Sequence, residues 1–566
     1  RIRFPLRVEL DSVCVIEKEA PDTMLQVGLA KVDVAVLPLL KGDIRAEGIA
    51  VDDVKYKLGT PDSITYLVAD VARARINSGG MQLKDGIIDI DKASVEKARI
   101  RLVLKPDSMP SPPDTAQTSP LIIRAKRIDL DDITYTMQML PSIDSLYAHV
   151  GHASLDYGRI DMAAQDITAR YLSVDSVDAA YFVPSPAFLK RHPELFIEAP
   201  PDTLSIDKGP WTVKADSLSL TARSGLYATS GVKPRSGLDM DYLKVTDVTI
   251  KVDSFYNRGT EIRVPLRQIT ATERCGISLD GHGTFAMDST RMWVNDILLL
   301  TDAGSQIYIE NASMPMDDFI ANPRLPVSMN GSLRIVPRDV LCALPSLRST
   351  LGPLSTRGNI TASADIRGSV AKMQINRLNI NAFNILKLKA AGSVANIMDF
   401  DRIAGKVTLD GSISNPTPFL SLLPSGLLPK GAKIPPVTLA GNIDYRPGNI
   451  SGDIKGTAGS GAVAVSGSWV QKTEGYDADI KLDKFPVNAF VPEYGIGRVT
   501  ATLRAKGHGY NPLALSTSMD VDLDVTSIEY QKENINDIRL TAHTGGGKAE
   551  GKLNSTWRRL DMDADF

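Results

Sequence analysis

Apolar and polar residues alternate along much of this chain. In Ile133-Thr134-Tyr135-Thr136-Met137-Gln138-Met139 the two kinds change places at every step. Ile443-Asp444-Tyr445-Arg446 and Val499-Thr500-Ala501-Thr502-Leu503 repeat the pattern, and in Met519-Asp520-Val521-Asp522-Leu523-Asp524-Val525 every second residue is an aspartate. Successive side chains of a strand point to opposite faces, so this period predicts antiparallel strands with one apolar face and one face in water.

A second pattern interrupts the first. Two alternating apolar residues are followed by a mostly polar pair and then by two more alternating apolar residues. It occurs as Val8, Leu10, (Asp11-Ser12), Val13, Val15; as Ile44, Ala46, (Glu47-Gly48), Ile49, Val51; and as Ile128, Leu130, (Asp131-Asp132), Ile133, Tyr135. It returns as Leu172, Val174, (Asp175-Ser176), Val177, Ala179; as Leu243, Val245, (Thr246-Asp247), Val248, Ile250; and as Leu378, Ile380, (Asn381-Ala382), Phe383, Ile385. An ideal strand would throw the second apolar pair onto the wrong face, whereas a bulge or corner returns it to the first face and bends the strand. A tight hairpin is the rival reading, but few of these pairs are the Asn-Gly or Asp-Gly that such turns prefer. The strands are therefore expected to be curved.

From about residue 329 a third signature takes over, a Gly flanked at one residue's distance by apolar or small positions. Examples are Met329-Asn330-Gly331-Ser332-Leu333, Leu409-Asp410-Gly411-Ser412-Ile413, Leu439-Ala440-Gly441-Asn442-Ile443 and Val465-Ser466-Gly467-Ser468-Trp469. Gly weakens a strand, so its recurrence points to bulges, bends or close backbone approach, with simple turns as the other reading.

Helical signal is confined to short stretches at Pro186–Lys190, Val340–Leu351 and Pro418–Leu423, which read as plugs or caps on a sheet. The expected fold is all-β, an elongated, mostly antiparallel curved sheet. Residues 1–105 form an N-terminal β segment, 106–120 (PDSMPSPPDTAQTSP) a Pro/Ser-rich loop, 121–330 a central β segment and 331–566 the Gly-punctuated repeats; 199–210 is a weaker loop. At about 13 residues per strand and turn, the chain would supply on the order of forty strands as an upper bound.

Composition narrows function by exclusion. Of 566 residues, 43% are apolar and 23% charged, as in folded proteins, and a formal net charge of −3 gives no electrostatic reason to expect a nucleic-acid partner. Cys14, Cys275 and Cys342 are too scattered for a disulfide framework or a Cys-x-x-Cys pair. No window approaches 18 consecutive apolar residues. Arg1 and Phe566 both stand in alternating runs, so the sequence reads as an excerpt of a longer chain.

No catalytic set emerges, and neither an enzyme nor a cofactor is expected. His149 and His152 are close, but no Cys or carboxylate cluster completes a ligand set. Gly545-Gly546-Gly547-Lys548 lacks the Ser or Thr and the leading Gly of a phosphate loop, and reads as a strand connection. Gly281-His282-Gly283-Thr284 has no nucleophile elbow to serve. Asp129, Asp131 and Asp132 belong to the bend pattern and read as solvated. Aromatics make up 6% of the chain, too few to favour a sugar-binding platform, although Trp211, Trp293, Trp469 and Trp557 remain.

The Gly-punctuated strands, the insert Phe419-Leu420-Ser421-Leu422-Leu423 before Gly426, and the run from Leu439 to Val470 resemble the AsmA-like superfamily and, within it, its TamB-like (translocation and assembly module) branch. The opening run Val34-Ala35-Val36-Leu37-Pro38-Leu39-Leu40-Lys41-Gly42-Asp43-Ile44 is similar to the N-terminal region of such proteins. The resemblance implies a taco-shaped or U-shaped sheet with an apolar groove in the periplasm of a Gram-negative envelope. It also implies an inner-membrane anchor outside this sequence, phospholipid as cargo and an outer-membrane assembly protein as a partner. Transfer of acyl chains along such a groove needs no catalytic residue and no metal. Candidate groove residues are Ile443, Tyr445, Val463, Val465, Ile480, Leu482, Val499 and Leu503, with ordinary sandwich core as the bland alternative for each. A scaffold that pairs its sheet edge with client strands in outer-membrane protein assembly is a second reading. A polysaccharide-acting or adhesive β protein is a third.

Overall fold

The computed structural model describes the chain apart from residues 1, 4–5, 17–22, 40–44, 62, 64, 82–85, 106–120, 141–143, 193–209, 319–320, 355–357, 400, 418–428, 430–431, 512–513, 532, 559 and 566. The fold is all-β and mostly antiparallel, as the alternation predicts. Among the described residues the α-helices are short: Val36–Leu39, Pro186–Arg191, Pro337–Ala343, Arg348–Leu351 and Val487–Phe490. The helix expected at Pro418–Leu423 and the insert before Gly426 lie outside the described residues, as do Leu40 to Ile44 of the opening run and the loop at 106–120. The chain divides into two compact units, one of Arg1–Ser289, Val294–Asp302 and Cys342–Pro345, the other of Thr290–Trp293, Ala303–Leu341 and Ser346–Phe566.

The first unit begins with strands β1 (Ile2–Arg3), β2 (Arg7–Ile16), β3 (Thr23–Val34), β4 (Ala46–Leu58) and β5 (Thr65–Met81). There follow β6 (Ile87–Leu104), β7 (Ile122–Met139), β8 (Asp144–Asp161), β9 (Asp166–Val183) and β10 (Thr212–Thr229). The series ends with β11 (Tyr242–Arg258), β12 (Glu261–Glu273) and β13 (Ser278–Met287). Each pairs with the next, antiparallel everywhere except β6–β7 and β9–β10. Those two parallel joints coincide with the long connections 105–121 and 184–211, because a parallel neighbour must begin again at the end where its predecessor began. The strands of this unit reach 18 residues, so there are fewer of them than the sequence estimate allowed.

The predicted bends are the reason the strands run so long. Ser12, Asp132, Ser176 and Asp247, each the second member of a predicted polar pair, have φ of 56°, 58°, 58° and 53°. Along β2 to β9 the first three are matched one-for-one instead of bulging a single strand, whereas toward the next strand Ser176 and Asp247 each lie at a register shift. Asp11 pairs with Leu29 and Val13 with Val27, so Ser12 stands one-for-one opposite Gly28. The same register carries the line through Asp53, Ala72, Lys97, Asp132 and Gly151 to Ser176, a crease that crosses eight strands, β2 to β9. The strands running one way, β2, β4, β6, β7 and β9, all place a left-handed residue on this crease. The opposed strands β3, β5 and β8 place Gly28, Ala72 and Gly151 there. Crowding accounts for the glycines, since a Cβ on Gly151 would sit 2.9 Å from that of Ser176.

A second crease lies six residues away along β6 to β9. It runs Asp91, Lys126, Tyr157, Arg170, Asp216, Ser254. Here the left-handed residues, Tyr157 and Ser254, belong to the opposite set of strands. Each crease adds a side chain to the polar face and none to the apolar face, so a strand bends toward its apolar side.

Two copies of the pattern behave otherwise. At Glu47-Gly48 there is a register shift between Ala46 and Gly48. At Asn381-Ala382 the rival reading is correct, because Phe383 and Asn384, both at φ 56°, form a hairpin turn. Phe383 is 2% exposed, and its burial holds a turn that an aromatic residue would not adopt alone.

The second unit is an antiparallel ladder of fifteen strands from Gln306–Pro315 to Leu560–Asp565, each paired with the next. Of the predicted motif glycines, Gly331, Gly411, Gly441 and Gly467 lie inside strands, and close approach explains all but Gly411, whose nearest neighbours stand at an ordinary 3.5 Å. A Cβ on Gly441 would stand 2.0 Å from the carbonyl oxygen of Asp453, one on Gly452 2.3 Å from that of Asn442, and one on Gly467 2.4 Å from that of Asp477. By alternation the missing Cβ atoms belong to the apolar face. Adjacent strands therefore press together on that side. As expected of caps, Leu347, Leu351 and Leu354 cover one end of the strands that carry Ile360, Ala382, Leu386 and Ile413.

Candidate functional site

Register turns the alternation of single strands into rows that cross the sheet. In the first unit one row reads Val13, Val27, Val54, Val71, Ala98, Ile133, Val150, Val177, Ala222, Val248 from β2 to β11. On the other side of the crease a second row runs from Leu10 through Ala30, Val51, Ala74, Val95, Leu130, Ala153, Val174 and Leu220 to Ile250. No polar residue enters either row. At about 4.8 Å per strand each extends about 43 Å across the ladder.

In the second unit a row of apolar residues and glycine runs through all fifteen strands. It reads Ile309, Gly331, Ala364, Leu378, Ala390, Leu409, Gly441, Ile454, Val465, Ile480, Leu503, Leu523, Leu540, Leu553, Ala564. The eight candidate residues all lie on this face. Val465, Ile480 and Leu503 are consecutive members of the row, and Val463 pairs with Leu482 in the next one. Ile443 pairs with Gly452 and Tyr445 with Ile450, while Val499 stands between Phe485 and Ile528. Val499 is buried and Tyr445 is exposed, with the other six half-buried.

Sequence reasoning drew its candidates from the second unit alone. The rows of the first unit were signalled by the spacing-of-three pattern, but connecting its copies requires the pairing register, which sequence does not supply.

Among the described residues each strand of either unit touches chiefly its ladder neighbours. On both faces the rows are mostly half-buried, with a few buried members such as Val499.

The opposite face is charged and largely paired. In the second unit Arg504 and Asp479 approach to 3.3 Å, Lys506 and Asp477 to 3.3 Å, and His543 and Asp520 to 2.6 Å, around a hollow of about 890 Å³. In the first unit His152 bonds Asp131 at 2.7 Å and His149 lies 3.9 Å from Asp132. Both histidines reach the polar face because the crease at Gly151 separates them. Asp129 departs from its expected solvated role. It is 7% exposed and lies 3.0 Å from Lys92 and 2.8 Å from Arg127. Burial alone would raise its carboxyl pKa, but the hydrogen bonds from Lys92 and Arg127 outweigh it and hold the group below the usual carboxylate range.

The remaining motifs carry structure. Gly546 and Gly547, at φ 59° and 78°, form the two-residue turn between Gly545 and Lys548. Gly281 to Thr284 lie within β13. Among the described residues no three His, Cys, Asp or Glu side chains gather as metal ligands, and no helix is long and apolar enough to cross a membrane. No protein-family model, curated protein or solved structure matches this chain.

Proposed function

We propose that this chain binds phospholipid acyl chains along its apolar sheet faces, as a TamB-like member of the AsmA-like superfamily that bridges the inner and outer membranes through the periplasm. The observation that carries the reading is the pair of unbroken apolar surfaces, crossing ten strands in one unit and fifteen in the other, whose described members are mostly only half-buried. An exposed apolar area of that size marks a binding surface. Each buried CH₂ contributes roughly 0.8 kcal/mol, so an acyl chain gains on the order of 10 kcal/mol before ordering costs, while its headgroup stays in water. Because a row repeats the same apolar character from strand to strand, a chain moving along it meets sites of similar affinity. The reading requires no acid, base or metal.

The test is native mass spectrometry with lipid extraction on the protein purified from a Gram-negative host without detergent. Phospholipid should co-purify with the parent protein and be lost from Val463→Asp/Val465→Asp, but be retained by Ser466→Asp on the opposite face. A folded parent protein that carries no lipid, or equal lipid on all three, would overturn the proposal.

A further inference from the structure

The fold brings together two of the three cysteines, which lie 67 residues apart in sequence. Cys275 occupies the turn between β12 and β13, and the Cys342 thiol donates to the carbonyl oxygen of Cys275 itself. The Cys342 Sγ also lies 4.0 Å from where Gly276 would carry a Cβ. Both cysteines are half-buried, whereas Cys14 is exposed on β2.

This contact belongs to a larger docking point within the first unit. The Leu238 N–H donates to the carbonyl of Ala343 at 2.9 Å. Arg274 reaches the carbonyls of Arg235 and Gly237 at 2.8 and 3.0 Å. Gly237, at φ 86°, fits under the segment because a Cβ there would stand 2.4 Å from the Ala343 oxygen. Residues Cys342–Pro345 are thus seated on the turns at the end of β10 to β13.

Glu273 adds a carboxylate. It is 6% exposed, its Oε2 accepts from the Cys275 N–H at 2.5 Å, and its Oε1 has no hydrogen-bond partner among the described residues. A buried carboxylate oxygen left without a partner is costly, and a carboxylate beside a thiol disfavours the thiolate.

We propose that Cys275 and Cys342 form a disulfide that fastens Cys342–Pro345 to the β12–β13 turn, with the Glu273 carboxylate slowing its closure. The oxidant is a small-molecule or protein disulfide. The Cys342 thiolate attacks it, forming a mixed disulfide and releasing one thiol. The Cys275 thiol loses its proton to solvent, and the Cys275 sulfur attacks the Cys342 sulfur, releasing the second thiol. Two protein thiols are oxidised and one oxidant disulfide is reduced. Burial and the hydrogen bond to Glu273 push the Cys275 thiol up to about 12, which keeps it protonated and restrains this second step.

The experiment incubates the intact protein with glutathione disulfide under native conditions, alkylates the remaining thiols and maps peptides by mass spectrometry. A Cys275–Cys342 cross-linked peptide, two hydrogens lighter than its parts, with alkylation confined to Cys14, is the expected result. Alkylation of all three cysteines, or a cross-link that includes Cys14, would overturn the pairing. Cross-linking of the parent protein decides this even where Cys275→Ser fails to fold. Glu273→Gln should speed closure roughly tenfold or more while the same cross-link still forms. An unchanged rate removes Glu273 from the reaction.

Discussion

The two units present the same kind of surface by different means. In the first, polar residues in the left-handed region fold each strand at creases, and the apolar face keeps its continuity because the spacing of three restores it on the far side. In the second, such left-handed residues are fewer, Lys484 and Asp537 being two inside strands, and glycines on the apolar face let neighbouring backbones close on each other. The first device lies along the strand and is read as an interruption of period two. The second acts between strands and is read as a residue missing from the apolar row. The contrast teaches that a glycine and an aspartate can serve one architectural end, and that their substitutions should then have opposite signs.

The largest effect is expected where no side chain fits. Gly441→Val places a branched side chain where even a Cβ lies 2.0 Å from a neighbouring carbonyl, and should cost about 3 kcal/mol or more in urea unfolding. A change below about 1 kcal/mol would show that the ladder slides to admit the side chain and that close approach is not what selects glycine.

At the crease the order reverses. Asp132→Gly removes the strain of a left-handed side chain and should be neutral or stabilising, within about 1 kcal/mol. Asp132→Val, which cannot adopt that conformation cheaply, should cost about 1–2 kcal/mol. If Gly proved as damaging as Val, the Asp132 carboxylate, 3.9 Å from His149, would matter more than the backbone.

Sequence carried the all-β class, the alternation, the existence of bends and the identity of their central residues, because each is a local property of one strand. It did not reveal that Ser12, Asp53, Lys97, Asp132 and Ser176 share one line, since that depends on the register of eight strands. Asp53 and Lys97 carry the same local conformation as Ser12. For the candidate face, the eight residues were found together because alternation fixes the face of each within its strand. What unites Val465, Ile480 and Leu503 into a row is again register. The hairpin at Phe383 escaped because its conformation is held by tertiary burial. Cys275 and Cys342 looked unrelated because 67 residues separate them, and only the fold closes that distance.

The subtlest difference between the units is their response to acid. The carboxyls of Asp33, Asp129, Asp161, Asp178 and Asp239 are all held below the ordinary 3.8, and all five lie in the first unit. A group whose folded pKa is depressed contributes stability that is fully present above its unfolded value and is lost as pH falls through its folded value. The first unit should therefore weaken progressively as pH drops below about 4. Asp129 has the clearest claim among the five, because it is buried between two cations, Lys92 and Arg127, whereas Asp239, also buried, is held chiefly by backbone N–H groups and the other three are less buried. Hydrogen exchange read region by region should show β6 to β9 losing protection before the ladder from Val437 to His508. Asp129→Asn should lower protection of β6 and β7 at neutral pH, since Lys92 and Arg127 then lose the charge between them and Arg127 keeps only Asp156 at 3.3 Å, and flatten the dependence on acid. If the variant kept the steep acid limb, the pH sensitivity would belong to the exposed pairs, and the buried one would be a consequence of the crease rather than a support for it.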